Sequence, residues 1–337
     1  MKGSQIMRLM AGLCALAMAS SALAQSGTIS TASPGWLMLV DGGWTYRVDN
    51  TRSAAARTGT GGGLANYVQP PPPTGGRDHL YQHWWWYRGR FTDGSGADTR
   101  EFALSNLDPA ASFAGQVPGA YAFGVLTYNE PVAGVANALR IQLRYAFDGI
   151  ATTGGFQGLG AAILSVVWTI TNTSTREIEV DFFNYIDLDV LGPSGTAGGN
   201  DRARIDIWNP GGAVGGWIKQ WDTTTPPTTP GAAPGNHDGF NFTASGANLV
   251  GYQIAAWTTT RLGLTDTAIT NLPNTPAVST ELGPLDATAA FQWRFILRPG
   301  ESITGWEEVA VNVPEPASML ALAVGLAGLA GLRRRRR

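Results

Sequence analysis

The side chains best suited to chemistry in this 337-residue chain are crowded into one run, Asp78-His79-Leu80-Tyr81-Gln82-His83-Trp84-Trp85-Trp86-Tyr87-Arg88. Two histidines four apart would share a helix face and begin a zinc site, but no H-E-x-x-H pattern accompanies them. Along a strand, His79, Tyr81, His83, Trp85 and Tyr87 face one way, and Leu80, Gln82, Trp84 and Trp86 the other. Aromatic bulk on both faces suits a strand covered on both sides, because tryptophan is usually largely buried. If exposed, Trp84, Trp85 and Trp86 would stack on sugar rings, which makes them the glycan-binding candidates.

A second group is acidic. Glu177, Glu179, Asp181, Phe183, Tyr185, Asp187 and Asp189 occupy alternate positions, and Asn200-Asp201 follow beyond a glycine-rich stretch. Clustered carboxylates suit calcium, a hard cation that takes six to eight oxygens, so Asp187, Asp189 and Asp201 are the candidate ligands. The spacing matches no EF-hand loop, and a solvated acidic strand face is the plainer reading. Beyond that calcium, no cofactor is implied. Catalysis has less support: there is no G-x-S-x-G elbow and no P-loop, and His237 is the only histidine besides His79 and His83. No catalytic residue is assigned. A carboxylate pair for glycoside cleavage depends on a separation of roughly 5–10 Å, which the fold sets and the sequence does not.

The elements that must position these residues read as strands. Leu139, Ile141, Leu143, Tyr145 and Phe147 alternate with Arg140, Gln142 and Arg144. Leu164, Val166, Trp168 and Ile170 repeat the pattern, Asn172-Thr173-Ser174-Thr175 supplies a turn, and Ile178, Val180 and Phe182 start a return strand. The two are read as a hairpin. Further strands are expected at Trp36–Val40, Trp44–Val48, Leu80–Phe91, Arg100–Leu104, Tyr121–Tyr128, Arg202–Trp208, Leu249–Trp257, Phe291–Leu297 and Ile303–Val311. A dozen short strands without helical crossovers predict an all-β fold, an antiparallel β-sandwich with long Gly/Pro/Thr-rich loops. Arg52–Gly63, Pro70–Gly76 and Asn209–Gly239 have loop composition.

Both ends of the chain differ from this middle. Lys2 and Arg8, the apolar stretch Leu9–Ala19 and the small-x-small site Ala22-Leu23-Ala24 form a secretory leader, with Gln25 as the expected mature start after signal peptidase. Cys14 is the only cysteine, so the mature chain offers neither disulfide nor thiolate chemistry. Outside the two basic residues of the leader and the five of the tail, 23 − 2 − 5 = 16 basic residues face 25 acidic ones, a balance of −9. An acidic domain with Lys219 as its only lysine argues against nucleic acid or anionic lipid as a partner.

The tail consists of Val313-Pro314-Glu315-Pro316, an uncharged stretch from Ala317 to Leu332, and Arg333, Arg334, Arg335, Arg336 and Arg337. The two prolines stiffen an extended segment. The 16 uncharged residues span roughly 24 Å as a helix, short for a membrane crossing, and the arginines hold to the cytoplasmic side. Pro314-Glu315-Pro316, the short apolar run and the terminal arginine cluster resemble the PEP-CTERM sorting signal. That resemblance covers residues 313–337. It implies export from a Gram-negative bacterium, transient residence in the inner membrane, cleavage near the P-E-P by an exosortase, and an association with exopolysaccharide and biofilm. The expected organisation is leader 1–24, one β-sandwich domain 25–312 and sorting signal 313–337. The expected function is a non-catalytic structural or adhesive role at the cell surface or in the extracellular matrix, with a carbohydrate-binding module and a polysaccharide-acting enzyme as alternatives.

Overall fold

The computed structural model describes residues 25–30, 36–41, 44–49, 62–65, 80, 82–150, 161–188, 201–222 and 239–311. They are mostly β. The first four strands, β1 (Ser26–Ser30), β2 (Trp36–Asp41), β3 (Trp44–Asp49) and β4 (Gly62–Ala65), make a sheet in that order. Then come β5 (Gln82–Phe91), β6 (Phe102–Ala103), β7 (Phe113–Val117), β8 (Tyr121–Val132), β9 (Val135–Ile150), β10 (Ala161–Asn172) and β11 (Ile178–Asp187). The chain continues with β12 (Asp201–Trp208), β13 (Val214–Asp222), β14 (Gly239–Ser245), β15 (Leu249–Ala256), helix α1 (Trp257–Thr265), β16 (Glu281–Leu285), β17 (Ala287–Leu297) and β18 (Ser302–Val311). These strands sort into a nine-stranded sheet, β16-β12-β13-β14-β18-β10-β9-β8-β7, and a five-stranded sheet, β15-β17-β11-β5-β6. Neighbouring strands pair antiparallel throughout.

The two larger sheets meet through rings. Trp168 of β10 lies 5.4 Å from Phe182 of β11 and 5.3 Å from Trp293 of β17, centroid to centroid. Phe242 of β14 lies 4.7 Å from Phe291 of β17. Gly305 of β18 makes room for this packing, since a Cβ there would come within 2.1 Å of Trp168 Cζ2. Tyr46 of β3 packs at 5.8 Å on Tyr145 of β9, which joins the first sheet to the same core.

The expected hairpin of β10 and β11 does not form. β10 pairs with β9 and β18, whereas β11 pairs with β5 and β17, so the turn between them carries the chain from one sheet to the other. Alternation shows that each strand has one apolar face. It does not show whether two such faces lie side by side or against each other, and here they face each other. Asn172, fully buried, holds the crossing: its Nδ2 donates to Arg176 O (2.7 Å) and Leu297 O (2.9 Å), and its Oδ1 accepts from Ser174 N and Oγ. β13 also corrects the sequence reading, because it lies inside the stretch expected to be loop, Asn209–Gly239, and contributes Ile218 and Trp221 to the interior. Helix α1 falls where the sequence pattern predicts no helix. It packs against β15 and β17, and the segment after it lies over the far face of the five-stranded sheet.

Candidate functional site

Trp84, Trp85 and Trp86 sit in the middle of β5 and are 7, 1 and 2% exposed. Trp85 stacks on Phe182 at 4.9 Å, and Trp86 meets Tyr185 edge to face at 5.9 Å. Their faces are taken up by packing, so glycan stacking at these rings has no support in the structure. The reason is the cover on both sides of β5: the nine-stranded sheet on one, the chain after α1 on the other.

The same cover overturns the reading of β11 as a solvated acidic face. From Val180 to Asp187 every residue of the strand is buried. Asp187 accepts from Tyr185 Oη at 3.1 Å, and Asp201, fully buried, accepts from Gln220 Nε2 at 3.2 Å. Burial first, and Asp187 second, push the Tyr185 hydroxyl well above the usual tyrosine range. Asp189 lies outside the described residues. Among the described residues no three His, Cys, Asp or Glu side chains converge as a metal site.

Two other polar clusters form instead. On the far face of the five-stranded sheet, Arg88 donates from Nε to Asp181 Oδ2 (3.0 Å), from Nη1 to Glu101 Oε1 (2.5 Å) and Thr270 O (2.6 Å), and from Nη2 to Asn271 Oδ1 (2.7 Å). Gln292 Nε2 (2.6 Å) and Arg294 Nε (2.8 Å) complete the shell of Asp181. Burial raises the Glu101 carboxyl above its ordinary value, against the hydrogen bond from Thr270 N and the charge of Arg88. Arg88 sits between the two carboxylates, and Arg294 brings a second positive charge to Asp181. The arrangement binds the chain after α1 to the sheet.

Between the sheets, His83 Nε2 lies 2.7 Å from Glu307 Oε1, both side chains fully buried. His83 Nδ1 is 3.0 Å from Tyr46 Oη, and Asn184 Nδ2 is 2.9 Å from Nε2. Burial pushes the Glu307 carboxyl up, with His83 opposing, and pushes Tyr46 well above its usual range. Sequence parity carried a signal for this pair. Gly305, Glu307 and Val309 share the inward face of β18, and an acid in an inward position demands a partner.

One open depression of about 370 Å³ lies on the outer face of the nine-stranded sheet, lined by Tyr121, Phe123, Arg144, Ala146, Ser165 and Val167 among others. It is near the end of the sheet where β18 stops. Val311 there is the last strand residue, paired with both Ala162 and Phe240, so the chain leaves the fold from an interior strand. The processing and membrane-stop residues Ala22, Ala24, Pro314, Glu315, Pro316 and Arg333 to Arg337 lie outside the described residues. Among the described residues, no helix is long and apolar enough to cross a membrane.

The segment directly beyond Val311 is the decisive one. Residues 312–336 are a PEP-CTERM protein-sorting motif. The PEP-CTERM segment thus begins at the residue directly after β18. It marks the chain for export and membrane-associated sorting in Gram-negative bacteria, with processing by an exosortase on the way. No curated protein sequence matches the chain. Among solved structures it is similar to the GH36 α-galactosidase AgaB from Geobacillus stearothermophilus (11% identity, 84% of this chain and 40% of that one, TM-score 0.41). It is also similar to a polysaccharide lyase (13% identity, 70% and 29%, TM-score 0.36) and a putative kojibiose phosphorylase from the human microbiome (9% identity, 88% and 30%, TM-score 0.33). The chain spans less than half the length of each of these proteins.

Proposed function

We propose that the chain is an exported β-sandwich protein, freed from its tail by an exosortase and displayed at the cell surface or in the extracellular matrix, where it acts without catalysis in a structural or adhesive role tied to exopolysaccharide. The observation that carries this reading is the sorting motif placed directly after a complete interior strand, so that cleavage at Pro314-Glu315-Pro316 leaves β18 whole. The non-catalytic part draws on the Arg88 cluster, whose guanidinium and carboxylates are paired with one another inside the protein. The test is the intact mass of the extracellular protein from a strain carrying the matching exosortase. A product ending near residue 315 is expected, and one still bearing Arg333 to Arg337 would reduce the tail to a plain anchor.

A second reading, carbohydrate binding, moves from the tryptophan run to the outer depression. Tyr121 and Phe123 offer rings there, and Arg144 and Ser165 offer polar groups beside them. Its test is a glycan array with the Tyr121→Ala variant as control, in which binding that survives the substitution removes this site.

A further inference from the structure

Both membrane-bound ends of the precursor leave the domain at the same end. The chain exits toward its sorting motif at Val311, the tip of β18. At the other terminus Gln25, the first residue after the expected leader, accepts through Oε1 a hydrogen bond from Gly119 N at 3.0 Å. Gly119 belongs to the turn between β7 and β8, and register puts that turn at the exit end, because Ala122 pairs with Phe147 near the end of β9, and Ala162, beside Val311, pairs with Gly149. Four ladder steps, β18-β10-β9-β8-β7, separate the two exits, roughly 19 Å at the usual strand spacing.

The turn itself has an unusual surface. Gln116 to Tyr121 are all exposed, Val117 at 37% and Tyr121 at 38%, and no charged residue occurs between Asp108 and Glu130. Apolar groups with a tyrosine at the rim suit the zone between water and hydrocarbon. The tether is short: residues 312–316 extend at most roughly 17 Å before the apolar run begins. A weak contact is enough under such a tether, since the effective concentration of the surface is high.

We propose that the end of the domain carrying Val117, Pro118 and Tyr121 rests on the lipid bilayer surface while the chain awaits processing. The proposal rests on the leader and sorting-segment reading above and adds to it a second point of contact. In this orientation the strand that feeds the sorting motif stands on the membrane, and the P-E-P is held within a few residues of it.

Because Cys14 is the only cysteine, single reporters are simple to install. The full chain with Cys14→Ser is reconstituted into phosphatidylethanolamine–phosphatidylglycerol vesicles. It carries a nitrobenzoxadiazole label on Val117→Cys, on Tyr121→Cys, or on Thr175→Cys at the opposite end. Spin-labelled lipid is expected to quench the first two several-fold more than the third, and Tyr121→Asp is expected to cut quenching at position 117 at least twofold. Equal quenching at all three sites in protein that floats with the vesicles overturns the contact and leaves the sorting segment intact as an anchor. Failure to float overturns the anchoring reading and the contact with it. A label at 117 that answers to soluble alginate and not to vesicles would assign the turn to a glycan and overturn the proposal.

Discussion

At one end of the molecule the connections are short and held by named bonds; at the other, apart from the β7–β8 turn and Asp286, they are long, and the chain's two exits lie among them. Ala133-Gly134 joins β8 to β9 with both residues at positive φ, as a tight hairpin turn of matching twist requires. Asn172 closes the β10–β11 crossing, and Gly300 N donates to Asn172 O to tie in the turn before β18. At the exit end, residues 151–160, 189–200 and 223–238 join the strands. The interiors differ less. Trp168, Ile170, Ile178 and Phe295 fill the core toward the tight end, whereas Glu307, His83, Asp187, Asp201 and Gln220 are buried toward the exit. Polar side chains are buried toward the tight end as well, among them Asn172, Glu130 and the Arg88–Asp181 pair, so what separates the two ends is the connections.

The largest expected effect belongs to the tight end. Asn172→Ala removes the side-chain partner of Leu297 O, Ser174 N and Arg176 O, the last of which keeps Ser174 Oγ, at roughly 1–3 kcal/mol for each buried group not rescued by water. A loss of roughly 3 kcal/mol in urea unfolding is expected, with the midpoint lowered and the slope unchanged. A loss below about 1 kcal/mol would show that the crossing is held by the sheets alone and remove the contrast between the ends.

Next comes the buried carboxylate at the exit end. Glu307 faces His83 of β5, with Asn184 of β11, Tyr46 of β3 and Tyr145 of β9 around it. Its folded pKa is raised by burial, so just above the ordinary carboxylate range the folded chain holds a proton that the unfolded chain has lost. Stability from this group is full below that range and declines as pH rises through the raised value. Burial raises Glu101, Glu308 and Asp98 in the same direction. The melting temperature is expected to be higher at pH 5 than at pH 7, and Glu307→Gln to flatten that slope by a few degrees. A variant slope equal to the native one would place the pH dependence elsewhere.

Sequence reading reached the strands and not their partners. Period-two alternation located β9 and β10 because each has one face that must avoid water, and it found the start of β11 through Ile178, Val180 and Phe182 although that strand is covered on both faces. Pairing is a long-range matter: Ile178 is six residues from Asn172 in the chain, yet it lies beside Leu297 and Phe91. The burial of Trp84 to Trp86 was legible as the plainer of two readings, since rings on both faces of a strand need cover on both. The Arg88 cluster was not legible, because its members at 88, 101, 181 and 271 share no spacing and meet only when α1 and the chain after it fold over the sheet. The sorting signal was the most legible part because its devices are local: prolines, an apolar run and a charge block act through the order in which they occur.

The smallest expected effect falls on the longest of the exit-end connections. Residues 223–238 join β13 to β14, and Trp221 already pairs with Gly239, so the two strand ends stand side by side and a few residues suffice to bridge them. Their composition, Thr223-Thr224-Thr225-Pro226-Pro227-Thr228-Thr229-Pro230 and onward, contains no Val, Ile, Leu or aromatic side chain to bury. Closing a loop half as long gains only about 0.6 kcal/mol of chain entropy. Replacing residues 224–234 by Gly-Ser-Gly is therefore expected to leave stability within about 1 kcal/mol of the native chain, on the stabilising side if anything. Urea unfolding of the two chains side by side decides it. A cost approaching that of Asn172→Ala would mean that the loop contributes to the core as the tight turns do, and the two ends would then follow one plan.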